Sequence, residues 1–228
     1  MWSPLKNNKP LLAYAAWSLL VFFITFSDGL NADDITHVFI LVFFAITYRL
    51  RFLLRKLLPS STPLAFIGLA TIFAAFVEGF YMISKPLHPS LVVTKDMGIG
   101  QMMYNYGVDV LFTFPAYVAI FSAIWLFVRR YEYSNFGYAL IMGLGQALGD
   151  GLGFLLANPG TMLFLPYILF NYHAMNVVPF LLVRNRLQDT PRIDTSWKYL
   201  PIVVLPLIYF TAATVIFALG PAFGFFAK

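Results

Sequence analysis

The sequence predicts an all-α fold: a polytopic helical membrane protein whose seven transmembrane helices form a single domain over residues 1–228. Sixty per cent of the residues are hydrophobic and 11% are charged, whereas soluble domains carry about a quarter charged residues. Several apolar runs reach about 20 residues, the length that crosses the hydrocarbon core of a bilayer. Composition and run length together therefore favour a helical bundle within a membrane.

Seven apolar runs are candidates for the transmembrane helices. The predicted spans cover residues 11–30, 36–57, 64–84, 104–128, 136–157, 163–183 and 199–220. We expect the first run to be a retained span, because no small-residue cleavage site follows it. The chain has no cysteine, which excludes disulfides and thiolate chemistry.

The basic residues are distributed unequally between the two sides of the predicted membrane. Twelve of the 15 lysines and arginines flank the span ends on the N-terminal side, and the other three are Lys85, Lys95 and Lys228. This bias predicts a cytoplasmic N-terminus and an exoplasmic or lumenal C-terminus. The net charge of +5 therefore belongs to membrane flanks and does not indicate nucleic-acid binding. We expect an endoplasmic reticulum protein in a eukaryote and an inner or plasma membrane protein in a prokaryote, with membrane lipids around it.

Three carboxylates lie inside predicted spans three, four and five: Glu78, Asp109 and Asp150. At a rise of 1.5 Å per residue, each lies roughly 10 Å below the outer surface. An ionisable group in a bilayer is costly unless it is paired, hydrated or neutralised. Three carboxylates at one depth predict a shared pocket displaced toward the outer leaflet. Asp28 and His37 lie nearer the interface, where we expect them to be hydrated.

Glu78 and Asp109 are the candidate catalytic residues. A carboxylic acid kept neutral by apolar surroundings can donate a proton, and if two such groups face each other, one holds a proton while the other stays ionised. That arrangement suits either proton transfer or the binding of an amine. The alternative for each is a structural hydrogen bond to a neighbouring helix, a role that Ser, Thr or Asn usually fills in membranes. We therefore favour chemistry for both acids.

The candidate substrate-binding residues surround these acids on spans three to six. Asn105, Asp109 and Thr113 are spaced four residues apart and share one helix face, as do Gln146 and Asp150. The full candidate set is Tyr81, Tyr106, Phe112, Thr113, Gln146, Asp150, Tyr172, His173 and Asn176. The aromatic members are suited to stabilising a cation. No metal or other cofactor is expected, because a lone histidine such as His173 is a poor metal site.

Two further segments have structural interpretations. Gly145, Gly149 and Gly153 form a GxxxGxxxG ridge, which is typical of close helix packing. The longest outside connection, residues 85–103, either caps the predicted pocket or is an ordinary exposed loop. Span seven has no ionisable residue, so the retinal lysine of a rhodopsin is excluded.

Four short motifs in spans three to six occur in an order and spacing that resemble a known family. They are residues 77–80 (VEGF), Asp109 with Pro115, residues 145–150 (GQALGD) and residues 176–180 (NVVPF). On these motifs the chain resembles the EXPERA superfamily, which includes the emopamil-binding sterol isomerases and the sigma-two receptor relatives. The resemblance covers about residues 36–183 and implies a five-helix core there, with the first and last helices additional to it.

The resemblance also implies a function. Glu78 and Asp109 would lie at the bottom of a lipid pocket, where the isomerases protonate a sterol double bond and stabilise the carbocation. We therefore expect an isomerase or cyclase acting on a sterol or isoprenoid lipid. The alternative is a non-catalytic lipid- or amine-binding protein of the sigma-two type. Ala74 favours this alternative, because the isomerases carry a histidine at that position. The retained GQxxGD motif favours the enzyme. A proton-coupled transporter is a weaker alternative, since all the acids lie on one side. The expected partners are an apolar ligand and a second copy of the chain in a homodimer.

Overall fold

The structure is a computed structural model that describes residues 9–27, 29–187 and 192–223, with the backbone alone at residues 152–157 and 223. Within these ranges the regular elements are helices, apart from one bridge between Tyr131 and Ile193. The α-helices are α1 (Lys9–Ser27), α2 (Ala32–Arg49), α3 (Arg51–Leu57), α4 (Thr62–Tyr81), α5 (Ile99–Arg130), α6 (Asn135–Ala157), α7 (Leu165–Val183) and α8 (Pro201–Leu219). Short 3₁₀ helices at Pro89–Leu91, Pro159–Phe164, Arg184–Leu187, Ser196–Tyr199 and Gly220–Phe223 lie between or after them.

Five of the described helices are long and apolar enough to cross a membrane: α1, α4, α5, α7 and α8, the last two with their flanking 3₁₀ turns. Helices α2 and α3 reach this length and apolarity when taken together, but the chain bends by 69° between them. Helix α6 is not in this set; its sequence is rich in glycine, and its backbone departs from helical geometry at Gly151. The predicted all-helical class is confirmed, and the five candidate spans support a multi-pass membrane protein. The count of seven spans remains a prediction.

Local sequence explains where several helices begin. Asn31 caps α2: its side chain accepts hydrogen bonds from the backbone of Asp33 and Asp34, and the Asp34 carboxylate accepts one from the Asn31 backbone in return. Helix α4 begins with a proline in its first turn, where the missing N–H is not needed. Helix α5 begins at Ile99, five residues before the predicted span, and extends over 32 residues. At about 1.5 Å per residue it is longer than the hydrocarbon core is thick.

Five helices pack side by side in a closed ring. The order around the ring is α4, α5, α8, α6 and α7, and α7 packs against α4 again. Helices α1 and α2 pack outside the ring, both against α7. The sequence resemblance had set the last helix apart from a core at residues 36–183; in the structure α8 is instead one wall of the ring, and α2 lies outside it.

The glycine ridge of α6 packs against α8. A Cβ on Gly145 would lie 2.6 Å from the Pro201 carbonyl oxygen, and a Cβ on Gly149 would lie 2.7 Å from the Tyr209 side chain. Only glycine permits such an approach of the two helices. The predicted packing role is therefore confirmed for these two glycines. The side-chain environment of Gly153 lies outside the described part of the chain.

The apolar core occupies the end of the ring toward the start of α4 and α6. Phe66, Phe121 and Phe180 are fully buried there, and Phe180 stacks on Tyr138 with ring centroids 3.8 Å apart. Polar side chains lie toward the other end of the same helices. The ring thus has an apolar half and a polar half.

Candidate functional site

Glu78 of α4 lies at the centre of the polar half. The hydroxyl of Tyr117, on α5, donates a hydrogen bond to its Oε1. Tyr117 is buried, whereas Glu78 is only half-buried. Both Asp109 and Asp150 lie within electrostatic range of Glu78. The structure thus brings all three sequence-predicted carboxylates into one electrostatic neighbourhood.

Asp150 of α6 lies across the ring from α5. Its Oδ2 accepts a hydrogen bond of 2.8 Å from the buried hydroxyl of Tyr172 on α7. One helical turn earlier, the buried Gln146 lies with its Oε1 3.5 Å from the hydroxyl of Tyr209 on α8. Tyr209 also interacts electrostatically with Asp150 and Glu78. Asp150 itself is an exposed residue.

Asp109 of α5 binds the loop between α4 and α5, which we call the outer loop after its predicted side of the membrane. It is fully buried, and its Oδ2 accepts a 2.8 Å hydrogen bond from the backbone N–H of Leu87. One turn earlier, Asn105 donates a 3.2 Å hydrogen bond to the carbonyl of Leu91. Residues 87–91 therefore lie against α5, which favours the predicted cap over an ordinary exposed loop. The other carboxylate oxygen of Asp109, Oδ1, is buried without a hydrogen-bond partner.

Three predicted binding residues on α5 have different surroundings. Thr113 donates a 3.0 Å hydrogen bond to the carbonyl of Asp109, so its hydroxyl is occupied within the helix. Tyr106 donates a 2.9 Å hydrogen bond to the carbonyl of Ala75. Phe112 lines an apolar groove between α5 and α8, a groove that Asp109 does not line. Tyr106 also lies within electrostatic range of Glu78 and Asp109.

His173 and Asn176 of α7 are buried, but the structure does not bring them to the carboxylates through any described contact. His173 Nε2 lies 3.1 Å from the carbonyl of Ala139 on α6, and its ring contacts Tyr14 edge-on at 6.1 Å. A Cβ on Gly143 would lie 2.9 Å from His173 Nε2, so the glycine makes room for this contact. His173 therefore joins α7 to α6 and α1. The amide atoms of Asn176 have no hydrogen-bond partner.

A second polar cluster lies where the C-terminal end of α4 meets the N-terminal ends of α2 and α7, at the ends that the sequence predicts to be outer. Tyr81 accepts a hydrogen bond from the side chain of Asn171 and contacts His37 edge-on, with ring centroids 6.1 Å apart. His37 in turn stacks on Tyr167 at 3.6 Å, and the Tyr167 hydroxyl donates a 2.9 Å hydrogen bond to Asp34. We call Asp33, Asp34, His37, Tyr81, Tyr167 and Asn171 the outer cluster.

The outer cluster corrects one expectation. His37 was expected to be hydrated at the interface, but its side chain is 2% exposed because Tyr81 and Tyr167 cover it. The parallel expectation for Asp28 falls outside the described residues. Lys85 forms an ion pair of 3.1 Å with Asp33 at the exposed edge of the cluster.

Sequence reasoning missed several of these residues. Tyr117 continues the four-residue spacing of Asp109 and Thr113, a signal that was present in the sequence. No polar spacing of this kind pointed to Tyr209, because its helix carries no Asp, Glu, His, Lys or Arg. Asn171 and Tyr167 stand on the same helix as the candidates Tyr172, His173 and Asn176, and only the fold shows which neighbour each side chain meets.

In the described part of the chain, no three His, Asp or Glu side chains are grouped as metal ligands would be. Carboxylates and phenols are therefore the groups that this site offers for chemistry. Comparison with known proteins adds no family: no family model matches the chain, and no curated protein or solved structure matches it either.

Proposed function

We propose that this protein is a membrane-embedded enzyme that protonates a carbon–carbon double bond of a sterol or isoprenoid lipid. The observation that carries the proposal is the pairing of Glu78 with Tyr117 inside a ring of apolar helices, with Asp109 and Asp150 in electrostatic range. An acid between apolar helices is partly shielded from bulk water, which favours a carbocation reaction. The outcome is an isomerisation or a cyclisation.

In this proposal Glu78 is the proton donor. Asp109 accepts a hydrogen bond from a backbone N–H and Glu78 accepts one from a phenol; because two carboxylate charges this near each other are disfavoured, one of the two acids holds a proton, and we assign it to Glu78. Transfer of the Glu78 proton to an alkene carbon forms one C–H bond and leaves a carbocation beside a carboxylate. Asp109 or Asp150 then removes a proton from a neighbouring carbon, which forms the new double bond. The aromatic rings of Tyr81, Tyr106 and Tyr172 are suited to stabilising the cation in between.

The relation to the EXPERA superfamily is part of the same proposal. The helices that carry its motifs, α4 to α7, are four of the five walls of the ring. Each motif acid has a specific partner: Tyr117 for Glu78, Leu87 for Asp109 and Tyr172 for Asp150. Helix α8 supplies the remaining wall and adds Tyr209 to the site, a feature beyond the resemblance.

The test is deuterium incorporation from D₂O into lipid. The purified protein is incubated with a Δ8 sterol or with geranylgeraniol, and the lipid is analysed by mass spectrometry for carbon-bound deuterium, which does not wash out. Glu78→Gln keeps the size of the side chain but cannot transfer a proton, so label should fall by about 10²–10⁴-fold. The matched control is Glu132→Gln, an exposed acid between α5 and α6, which should label as the wild type does. Equal labelling by Glu78→Gln and wild type would refute Glu78 as the donor.

A second candidate function is supported by one specific observation. Asp109 Oδ1 is buried and has no hydrogen-bond partner, which suits a protein that binds a cationic amine beside that oxygen. Such a binder would incorporate no deuterium into either lipid. It would instead bind a hydrophobic amine, and Asp109→Asn would weaken that binding because the amide carries no charge.

A further inference from the structure

Helix α3 leaves the helix bundle at a sharp angle. Helix α2, which precedes it, has 18 residues and is therefore about 27 Å long, close to the thickness of the hydrocarbon core. Its regular geometry ends at Leu50, which has a φ of −86° and a ψ of 5°, and the chain then turns by 69° into α3. A turn of this size at the end of a span directs α3 along the membrane surface and not through it.

Contacts at both ends fix the direction of α3. At the turn, Arg51 Nη1 donates a 2.7 Å hydrogen bond to the carbonyl of Tyr48, and the guanidinium lies 4.2 Å from the centre of the Tyr48 ring. Beyond the other end, Arg186, which follows α7, donates a 2.6 Å hydrogen bond from Nη1 to the carbonyl of Pro59. These contacts make the turn a fixed feature of the fold.

The faces of α3 have different surroundings. Leu54 and Leu58, four residues apart, pack on a buried cluster of α4 and α7 side chains. Leu53 and Leu57 form a second apolar pair, and they are 44% and 81% exposed. Arg55 precedes Leu57 by two residues, which places it about 200° around the helix, opposite this exposed pair. An exposed apolar stripe opposite a basic one is typical of a helix that lies in the membrane interface.

The basic residues of this segment have no acid beside them. Residues 49–58 (RLRFLLRKLL) contain four basic residues and no acidic residue. The ion pairs in the described part of the chain, such as that of Lys85 with Asp33, lie elsewhere. Arg55 and Lys56 are exposed, so their charges are free to bind an anion. The sequence places this end of the bundle on the cytoplasmic side, where the leaflet surface is negative and attracts basic segments next to spans.

We propose that α3 is a membrane-surface helix that binds the phosphate group of an anionic phospholipid with Arg55 and Lys56. Leu53 and Leu57 insert at the boundary between head groups and acyl chains, and the long basic side chains extend from there to the phosphates. Arg51 is already engaged at the turn, so Arg55 and Lys56 provide the free charge. The proposal is independent of the chemistry proposed for the carboxylates.

Lipid binding is measured by native mass spectrometry of the purified full-length protein. The delipidated protein in detergent is titrated with phosphatidylglycerol or with phosphatidylcholine of the same acyl chains, and the bound lipids are counted. The wild type should bind phosphatidylglycerol more tightly. The double variant Arg55→Gln with Lys56→Gln should bind phosphatidylglycerol about tenfold or more weakly, because each basic residue near an anionic lipid contributes severalfold to the affinity. Its binding of phosphatidylcholine should not change.

The matched control is the double variant Arg129→Gln with Arg130→Gln. It removes the same charge from an exposed pair at the end of α5, on the same predicted side of the membrane, and should bind phosphatidylglycerol as the wild type does. An equal loss of binding in both double variants would show that only the overall charge matters and would overturn the site on α3. Equal affinity of the wild type for the two lipids would also overturn it.

A second measurement tests whether α3 lies in the interface. Because the chain has no cysteine, a nitroxide spin label can be attached at Leu57→Cys or at Arg55→Cys alone. In vesicles of phosphatidylcholine and phosphatidylglycerol, the label at position 57 should collide more often with oxygen, which concentrates in the bilayer. The label at position 55 should collide more often with a water-soluble nickel complex. Equal access of the nickel complex to both positions would place α3 in water and overturn the proposal.

Discussion

The hydroxyl of Tyr117 on α5 donates a hydrogen bond to the carboxyl group of Glu78 on α4. This bond joins two neighbouring walls of the helix ring. A buried phenol without an acceptor is costly, so each partner stabilises the other. The bond therefore serves both the fold and the placement of the acid.

Tyr117→Phe should weaken both the fold and the placement of Glu78. Removing the hydroxyl leaves the half-buried carboxyl without its donor, and a hydrogen bond between neutral groups contributes about 0.5–1.5 kcal/mol. We expect thermal unfolding of the purified protein to shift to lower temperature and lipid labelling to fall by about tenfold or more. Tyr104→Phe, at an exposed position of the same helix, is the control and should change neither. Wild-type stability and labelling in Tyr117→Phe would contradict the assigned bond.

The spacing of polar residues predicted part of this site. Asn105, Asp109 and Thr113 lie on one face of α5, and all three are buried, as the four-residue spacing indicated. The sequence could not show that Asp109 would accept from the backbone of Leu87, because that contact depends on how the loop folds back. Nor could it show that Thr113 would bond within its own helix.

The close approach of α6 and α8 gives a prediction about stability. Gly145→Ala would place a methyl group 2.6 Å from the Pro201 carbonyl oxygen, a backbone atom that cannot rotate away. Overpacking of this kind costs about 1–3 kcal/mol, so the free energy of unfolding should fall by that amount. The measurement is unfolding in a denaturing detergent titration.

Gly68→Ala supplies the matched control for this prediction. Gly68 lies inside α4, and a Cβ there would meet no other atom within 4 Å. Alanine is the better helix former by up to about 1 kcal/mol, so this variant should be as stable as the wild type or more so. A loss of stability in Gly68→Ala equal to that in Gly145→Ala would show that the α6–α8 contact is not the cause.

The ring itself was the part of the fold that sequence reasoning did not reach. The glycine ridge of α6 predicted a close partner but could not name it, because any helix can pack on glycine. Helix α8 is apolar around most of its surface, so its sequence gave no inward face. Only the structure shows that Tyr209 of α8 lies against Gly149 and near Gln146.

The contact between Asp109 and the outer loop allows two roles of this acid to be tested separately: holding the loop and transferring a proton. Asp109→Ala removes the acceptor of the Leu87 N–H, so hydrogen exchange of the peptide covering residues 85–97 should accelerate by about tenfold or more, as expected from losing a charge-assisted hydrogen bond. Asp109→Asn keeps a carbonyl oxygen at the same place and should keep most of the protection. The measurement is hydrogen–deuterium exchange read by mass spectrometry.

The results for Asp109→Asn and Asp109→Ala decide whether this carboxylate transfers a proton or holds the loop. An Asp109→Asn variant with a protected loop and reduced lipid labelling would assign the carboxylate a role in proton transfer. Unchanged exchange in Asp109→Ala would show that the loop is held by Asn105 and the apolar contacts of Leu91 instead.

The orientation in the membrane is tested with two lysines at opposite ends of α4. Lys56 lies in α3 beside Arg51 and Arg55, and Lys95 lies in the outer loop; both are exposed. The chain has no cysteine, so Lys56→Cys and Lys95→Cys each introduce a single thiol, and the wild type is an unlabelled control. Because basic residues concentrate on the cytoplasmic side, an impermeant maleimide should label Lys95→Cys in intact cells or in vesicles that expose the exoplasmic face. Lys56→Cys should be labelled only after permeabilisation; the reverse pattern would invert the membrane orientation and place the carboxylate cluster in the cytoplasmic leaflet.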